Sequence, residues 1–290
     1  MGCQTVGYRI GGVNIQIRSY DDYSLLHDHV LGEFAADGVP DLTIDLTHGE
    51  PDCRSSCESI GIEKDKIRTI HGNIVSTVIF PNGREEDTYP YHQLVMNARY
   101  PRAALYLRSE EILAGGHIPS LRRPAGEILM RYYLSRWGGA MLHSCGIVDD
   151  NKGYIFVGSS GSGKSTLAKL WRRTACADIL SDEYVIIRSS RQRFRMYGTP
   201  WFSNAGTYHT RDCDLSKIFI IEHASANYIV PISGVEAMIP CLSAATPVFC
   251  GSWRDTRLIR VLAKMVQTIP CYRLGFVPDS RIVDTVRNTS

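Results

Sequence analysis

The stretch YIFVGSSGSGKSTLAKL, Tyr154–Leu170, decides how the second half of this chain is read. Gly158, Gly163, Lys164 and Ser165 occupy the fixed positions of the pattern G-x-x-x-x-G-K-[ST]. Glycines at such places let successive backbone N–H groups turn inward around phosphate oxygens, and the helix that follows adds the positive end of its dipole. The pattern makes Gly158, Ser159, Ser160, Gly161, Ser162, Gly163, Lys164, Ser165 and Thr166 candidate contacts to a nucleotide. Lys164 would reach the β/γ-phosphates, and the Ser165 hydroxyl would ligate Mg²⁺. The flanks agree with this reading. An apolar strand, Tyr154 to Val157, enters the loop, and Leu167, Leu170 and Trp171 give the exit helix one buried stripe.

Working upstream, AMLHSCGIV and YIFV read as two strands separated only by the turn DDNKG. A connection that short implies an antiparallel hairpin, whereas the strand feeding a phosphate loop ordinarily belongs to a parallel sheet. The hairpin therefore predicts a different phosphate-binding architecture. If Val148 pairs near Tyr154, His143 comes opposite Ser159 at the mouth of the loop, which makes it a candidate site residue. Before the hairpin, Pro124 opens a helix that buries Ile128, Leu129, Tyr132 and Tyr133 and ends at Gly138-Gly139.

Downstream, ADILSDEYVIIR places Asp182 and Glu183 beside the apolar run Tyr184 to Ile187. An acid at a strand end can hold Mg²⁺, and a second can accept the proton of an incoming hydroxyl. YGTPWFSNAGTYHTRD, Tyr197 to Asp212, has the composition of an active-site cover, with Trp201 and His209 able to contact substrate, and equally of an ordinary connection. GSWRDTRLIRVLAK begins like a capped helix at Ser252 and carries Arg254 and Arg257, either on a solvated face or toward a transferring phosphoryl group.

The rest of the chain sets limits. Its 290 residues suit one large domain or two modest ones, and 44% hydrophobic residues make it globular. Thirty-two Lys+Arg against 30 Asp+Glu leave a net charge of +2, so charge suggests neither a nucleic-acid nor a membrane partner. No apolar run approaches the roughly 18 residues of a membrane helix. No secretory signal is visible at the start, MGCQTVGYRIGG, so a cytoplasmic location is expected. Nine scattered cysteines read as reduced and buried, with Cys53, Cys57 and nearby His48 the one combination that suggests a metal. Residues 1–115 read as a β-rich region, with alternation in Val13-Ile15-Ile17 and Val75-Thr77-Ile79, one helix over DYSLLHDHVLGEFAA and the turn PNGREED. A break at LAGGHIPSLRRP separates them from residues 116–290.

The succession MLHSCGIV, GSSGSGKST, LSDEYVIIR and YGTPW resembles the catalytic domain of HPr kinase/phosphorylase and its serine-kinase-like relatives, whose P-loop fold is shared with phosphoenolpyruvate carboxykinases. SKIFIIEHASANYIVPI and PCYRLGFVPD resemble the strands that close that domain, so the likeness runs from about Arg123 to Asn288. The resemblance extends to kinase-like proteins of radical-SAM peptide-maturation cassettes, such as the SynChlorMet cassette protein ScmC, and to lasso-peptide precursor kinases. The resemblance implies an α/β (α+β) fold, an HPr kinase/PEP carboxykinase-type P-loop domain with a mixed sheet. It makes Lys164 and Ser165 the nucleotide and Mg²⁺ contacts, His143 a polar partner near the reacting phosphate, and Asp182 the general base with a metal role. Where the HPr enzymes have two aspartates this chain has Asp182-Glu183, no phosphorylase-associated signature is visible, and the amino-terminal region does not resemble their regulatory domain.

The expected activity is ATP-dependent transfer of the γ-phosphoryl group to a serine hydroxyl of a peptide or protein, with a ribosomal precursor peptide as one candidate acceptor and a homo-oligomer as one candidate assembly. Two alternatives stand beside it: a kinase of free serine or another small hydroxylated metabolite, and a nucleotide-sensing or scaffold protein.

Overall fold

A computed structural model of the chain describes residues 2–20, 29–49, 58–63, 66–71, 74–79, 92–97, 101–107, 121, 123–174, 176–190, 193–202, 206–245 and 255–289. Among them it shows a mixed α/β fold with two mixed sheets and six helices. The chain divides into two compact units between Tyr133 and Leu134.

The first unit is built on an eight-stranded sheet. Its strands are β1 (Gln4–Ile10), β2 (Val13–Ser19), β3 (Leu42–His48), β4 (Glu58–Glu63), β5 (Lys66–His71), β6 (Ile74–Ile79), β7 (His92–Asn97) and β8 (Arg102–Leu107), in the order β1-β2-β3-β8-β7-β6-β5-β4. Strand β3 runs parallel to both its neighbours. The alternation expected in β2 is present, with Val13, Ile15 and Ile17 buried. Gly11 and Gly12, at φ 59° and 67°, make the two-residue turn from β1 to β2. Helix α1 (His29–Glu33) buries Leu31, and Phe34 is buried just beyond it. The first part of the helix expected here, residues 21–28, lies outside the described residues, as do the turn PNGREED, Cys53, Cys57 and the side chain of His48. Helix α2 (Ala125–Trp137) follows Pro124, buries Ile128, Leu129, Tyr132 and Tyr133, and stops at Gly138, whose φ is 86°.

The second unit contains β9 (Gly139–Asp149), β10 (Lys152–Val157), α3 (Lys164–Thr174), β11 (Asp178–Ser181), β12 (Tyr184–Ser190), β13 (Arg193–Tyr197), β14 (Asp212–His223), β15 (Tyr228–Ile232), α4 (Gly234–Ala244), α5 (Asp255–Thr268), β16 (Cys271–Phe276) and α6 (Arg281–Arg287). The order is β10-β9-β12-β13-β14-β16-β15, with β11 also on β9 and β10 also on β14. Strand β10 is thus antiparallel to β9 and parallel to β14, which is itself parallel to β16. The expected hairpin is real, and parallel pairing is restored on the other side of the same strand.

Alternation along these strands feeds two cores. Ile155, Val157, Val185 and Ile218 belong to one cluster with Ala237 and Cys241 of α4 and Leu258, Leu262 and Met265 of α5. Cys145, Tyr154, Phe156, Phe219 and Leu274 belong to the other with Leu167, Ala168 and Trp171 of α3 and Ile282, Val283 and Val286 of α6. The second core is bound largely by aromatic contact: Phe156 stacks on Phe219 at 5.2 Å, and Phe219 on Tyr272 at 5.4 Å.

Candidate functional site

The centre of the site is the junction of β10, a loop and α3. Gly161 and Gly163 have φ of 81° and 99°, in the left-handed region that glycine enters without penalty. The loop closes tightly on itself. The amide of Ser162 donates to the carbonyl of Ser159 at 3.1 Å, and a Cβ at Gly158 would come within 2.4 Å of the Ser162 hydroxyl. The first helical bond then follows, from Leu167 N–H to Gly163 C=O at 2.9 Å. Ser165 and Thr166 lie in the first turn of α3, with Ser165 half-buried and Thr166 exposed.

Lys164 is only 6% exposed. Its ammonium donates to the carbonyls of Gly158 at 2.9 Å and Ser159 at 3.0 Å, using two of its three hydrogens. No carboxylate forms an ion pair with it among the described residues. Burial lowers its pKa, while Cys145 and Glu183 act in the opposite sense. A buried ammonium satisfied only by neutral oxygens is costly. An anion seated in the loop would relieve that cost, so the residues fit a phosphate group on physical grounds.

The acids arrive from β11 and β12, two strands laid along β9 and separated by Asp182 and Glu183. A bulge between Ile179 and Ser181 shifts the pairing with β9 by one residue. The new register, Ser181 opposite Gly146, is continued by Tyr184 opposite His143. Asp182 therefore falls level with Cys145, on the face covered by α3, because a one-residue slip exchanges the faces of a strand. The Ser181 hydroxyl fixes the turn by accepting from the amides of Glu183 and Tyr184, each at 3.1 Å. Asp182 is 2% exposed. Glu183 keeps 22% of its side chain accessible, with its Oε1 3.9 Å from Nε2 of His143.

His143 is half-buried, packed beside Tyr184 with ring centroids 5.6 Å apart. Its expected place needs one correction. Tyr154 pairs with Ile147, and the ladder ends with Val157 opposite Ser144, so His143 is level with Gly158 and not Ser159. The reason is the turn. Asp150 and Asn151 both adopt positive φ, 49° and 57°, closing a two-residue hairpin where the expected register required three.

Cys145 lies between the strand that feeds the loop and the acid turn. Its thiol is fully buried, opposite Phe156 on one side and level with Asp182 on the other. Burial pushes its pKa far up, Asp182 adds to the rise, and Lys164 opposes it. The acid of the β11–β12 turn and the lysine of the loop thus act on the same buried atom. Ser165, Asp182 and Glu183 carry hydroxyl and carboxylate oxygens. Oxygen donors of this type suit Mg²⁺, which is commonly held by one or two carboxylates plus phosphate oxygens.

Two further segments support the acid turn from outside. Gly198 packs so closely that a Cβ would lie 1.8 Å from the carbonyl oxygen of His209 and 2.8 Å from that of Leu180. Thr199 donates its hydroxyl to the Tyr184 carbonyl at 2.8 Å, and Tyr208 bridges Ser181. Trp201 is 3% exposed, a packing residue here and not an open contact surface. His209 accepts from the Arg211 amide through Nδ1 and lies 3.7 Å from Asp178 through Nε2, so its ring is committed to the scaffold. Arg257 is exposed and donates to the carbonyl of Arg136 at 2.6 Å. Ser252 and Arg254 lie outside the described residues. Among the described residues, no group of three or more His, Cys, Asp or Glu is placed to hold a metal by itself, and no helix is long and apolar enough to cross a membrane.

Sequence reading named the loop, Lys164, Ser165 and the acid pair as candidates, and it did not name Cys145, Ser181, Thr199 and Gly198, which pack around them. Of these only Cys145 carried a signal: it alternates with His143 along a strand already assigned to the site. No family model matches this chain, and no curated protein matches it. Among solved structures it is similar to the HPr(Ser) kinase/phosphatase from Coxiella burnetii, with 9% identity, 51% of this chain and 88% of that chain covered, and a TM-score of 0.31. A likeness that slight carries no assignment, and any reading of function rests on the site itself.

Proposed function

We propose that the chain is an ATP-dependent phosphoryltransferase that moves the γ-phosphoryl group to a serine hydroxyl of a peptide or protein. The observation that carries this reading is Lys164, buried at a strand–loop–helix junction and bonded to two carbonyls, with no carboxylate ion-paired to it among the described residues. The loop amides and Lys164 hold the β- and γ-phosphates. Asp182 accepts the proton of the attacking hydroxyl, and His143, beside Glu183, is a polar group flanking the transferring phosphoryl. Ser165, Asp182 and Glu183 would hold Mg²⁺, which neutralises charge on the phosphates when bound. The β-rich first unit, in this reading, recognises the acceptor or regulates the transfer. A peptide acceptor from a maturation pathway fits this assignment.

The test is Mg²⁺-dependent consumption of γ-labelled ATP with Ser-containing peptides, with free serine and without acceptor, the label being traced by mass spectrometry. Label on a peptide hydroxyl is the expected result. Label on free serine alone would move the enzyme to small-molecule metabolism, and tight binding of ATP without transfer to any acceptor would replace the kinase by a nucleotide sensor.

A further inference from the structure

We infer that the turn between β16 and α6 is a buttress that sets the conformation of the loop, with Phe276 as its positioning residue and Asn227 as its anchor. The conformational part stands on packing alone, and its consequence for nucleotide binding rests on the function proposed above.

Gly163 is the last loop residue before Lys164, and its backbone sits at φ 99°. A Cβ added there would lie 2.7 Å from Cζ and 3.0 Å from Cε1 of Phe276. The edge of the phenyl ring therefore occupies the space a side chain at position 163 would need. Phe276 is 6% exposed, at the end of β16, and its ladder partner is His223 at the end of β14. The segment after it is tied down on both sides. The amide of Val277 donates to Oδ1 of Asn227 at 2.8 Å, and Nδ2 of Asn227 donates to Asp279 at 3.4 Å. Asp279 in turn accepts from the amide of Arg281 at 3.0 Å, at the start of α6. On the other side the Tyr228 ring covers Gly275, where a Cβ would meet it at 2.2 Å, and the Tyr228 hydroxyl donates to Glu222.

Glycine has the widest backbone freedom of any residue, so its conformation must be imposed from outside. Phe276 imposes it here. Without the ring a benzyl-sized void would open beside Gly163, and the direction of the Lys164 amide and of the first turn of α3 would no longer be fixed. The apolar contact orients groups that meet the phosphates without itself touching them.

The experiment compares the parent protein with Phe276→Ala, Phe276→Leu and Asn227→Ala by two readouts: amide exchange of the segment Val157–Leu167, and binding of a fluorescent ATP analogue. Phe276→Ala should speed exchange in that segment and raise the analogue's Kd, each about tenfold, a size typical of coupling through packed side chains. Exchange in β9 and β12 should stay unchanged, Asn227→Ala should act in the same direction more weakly, and Phe276→Leu should recover most of both losses. Unchanged loop exchange in Phe276→Ala and Asn227→Ala, or faster exchange spread evenly over β9, β12 and β14, would reduce Phe276 to an ordinary core residue. If the parent protein binds no ATP analogue, loop exchange still decides the buttress, and the missing affinity counts against the proposed function alone.

Discussion

At the scale of single residues, the site sets a buried cation against a buried acid without letting them neutralise each other. Lys164 is held by two carbonyls, and its pKa is lowered mainly by burial. A lysine whose folded pKa lies below its unfolded value of about 10.4 binds protons more readily when unfolded, so its charge weakens the free protein at neutral pH, and stability recovers as pH rises through the folded value. Lys164→Met, which keeps the length and removes the charge, should therefore abolish transfer while melting no lower than the parent. Calorimetry beside the labelled-ATP assay checks both halves; a clear loss of melting temperature would mean that Lys164 stabilises the loop instead. This lysine was legible because a phosphate loop tolerates few residue types at fixed positions, and the acid pair was a candidate because it stands one helix and one short loop beyond Ser165, beside an apolar run. The burial of Lys164 and Asp182 was not legible, since it depends on what strands far along the chain place around them.

At the scale of elements, small register effects decide whether the acids reach the loop. The hairpin was readable from the shortness of DDNKG, but the difference between a two- and a three-residue turn depended on positive φ at Asp150 and Asn151, which neither residue advertises as glycine would. The bulge between Ile179 and Ser181 had no sequence signal at all, yet it carries Asp182 to the face of α3. The same holds for Gly198, one glycine among several in a polar stretch, whose missing side chain allows the His209 and Leu180 carbonyls to approach. Gly198→Ala should force the supporting segment away from the acid turn and cost about 1–3 kcal/mol, the typical range of overpacking. Urea unfolding measures the loss, and a change under about 0.5 kcal/mol, the size of an ordinary surface substitution, would show that this contact is not tight.

At the scale of the whole molecule, the second unit is held by contacts between distant parts of the chain. The end of α6 is clamped to the hairpin: Arg287 meets Asp149 through two bonds, at 2.6 and 2.9 Å, and the Trp171 indole donates to the same carboxylate at 3.4 Å. The Arg287 bond is the main reason that the Asp149 pKa lies below the usual carboxylate value. Because that pKa is depressed on folding, the contribution is present above about pH 4 and is lost as pH falls through the folded value. Arg287→Ala should cost about 1–3 kcal/mol at pH 7, between the values for an exposed and a broken buried pair, because the guanidinium is 40% exposed. Urea midpoints should converge with the parent's below pH 4, and an equal gap at pH 7 and pH 3 would remove the ion pair as the cause. Pattern revealed β9, β10, α3 and α5, but it left α4 and α6 unread and showed neither this clamp nor the parallel pairing of β10 with β14, since both join segments with no local signature. The central claim, that the junction of β10 and α3 is a catalytic phosphoryl-transfer site with Asp182 as its base, is tested most directly by measuring nucleotide binding and γ-phosphoryl transfer side by side in the parent and Asp182→Asn. Both proteins should bind Mg²⁺-ATP, with transfer in the variant lower by roughly 10²–10⁴-fold; equal transfer in the two, or no binding by either, would contradict the account.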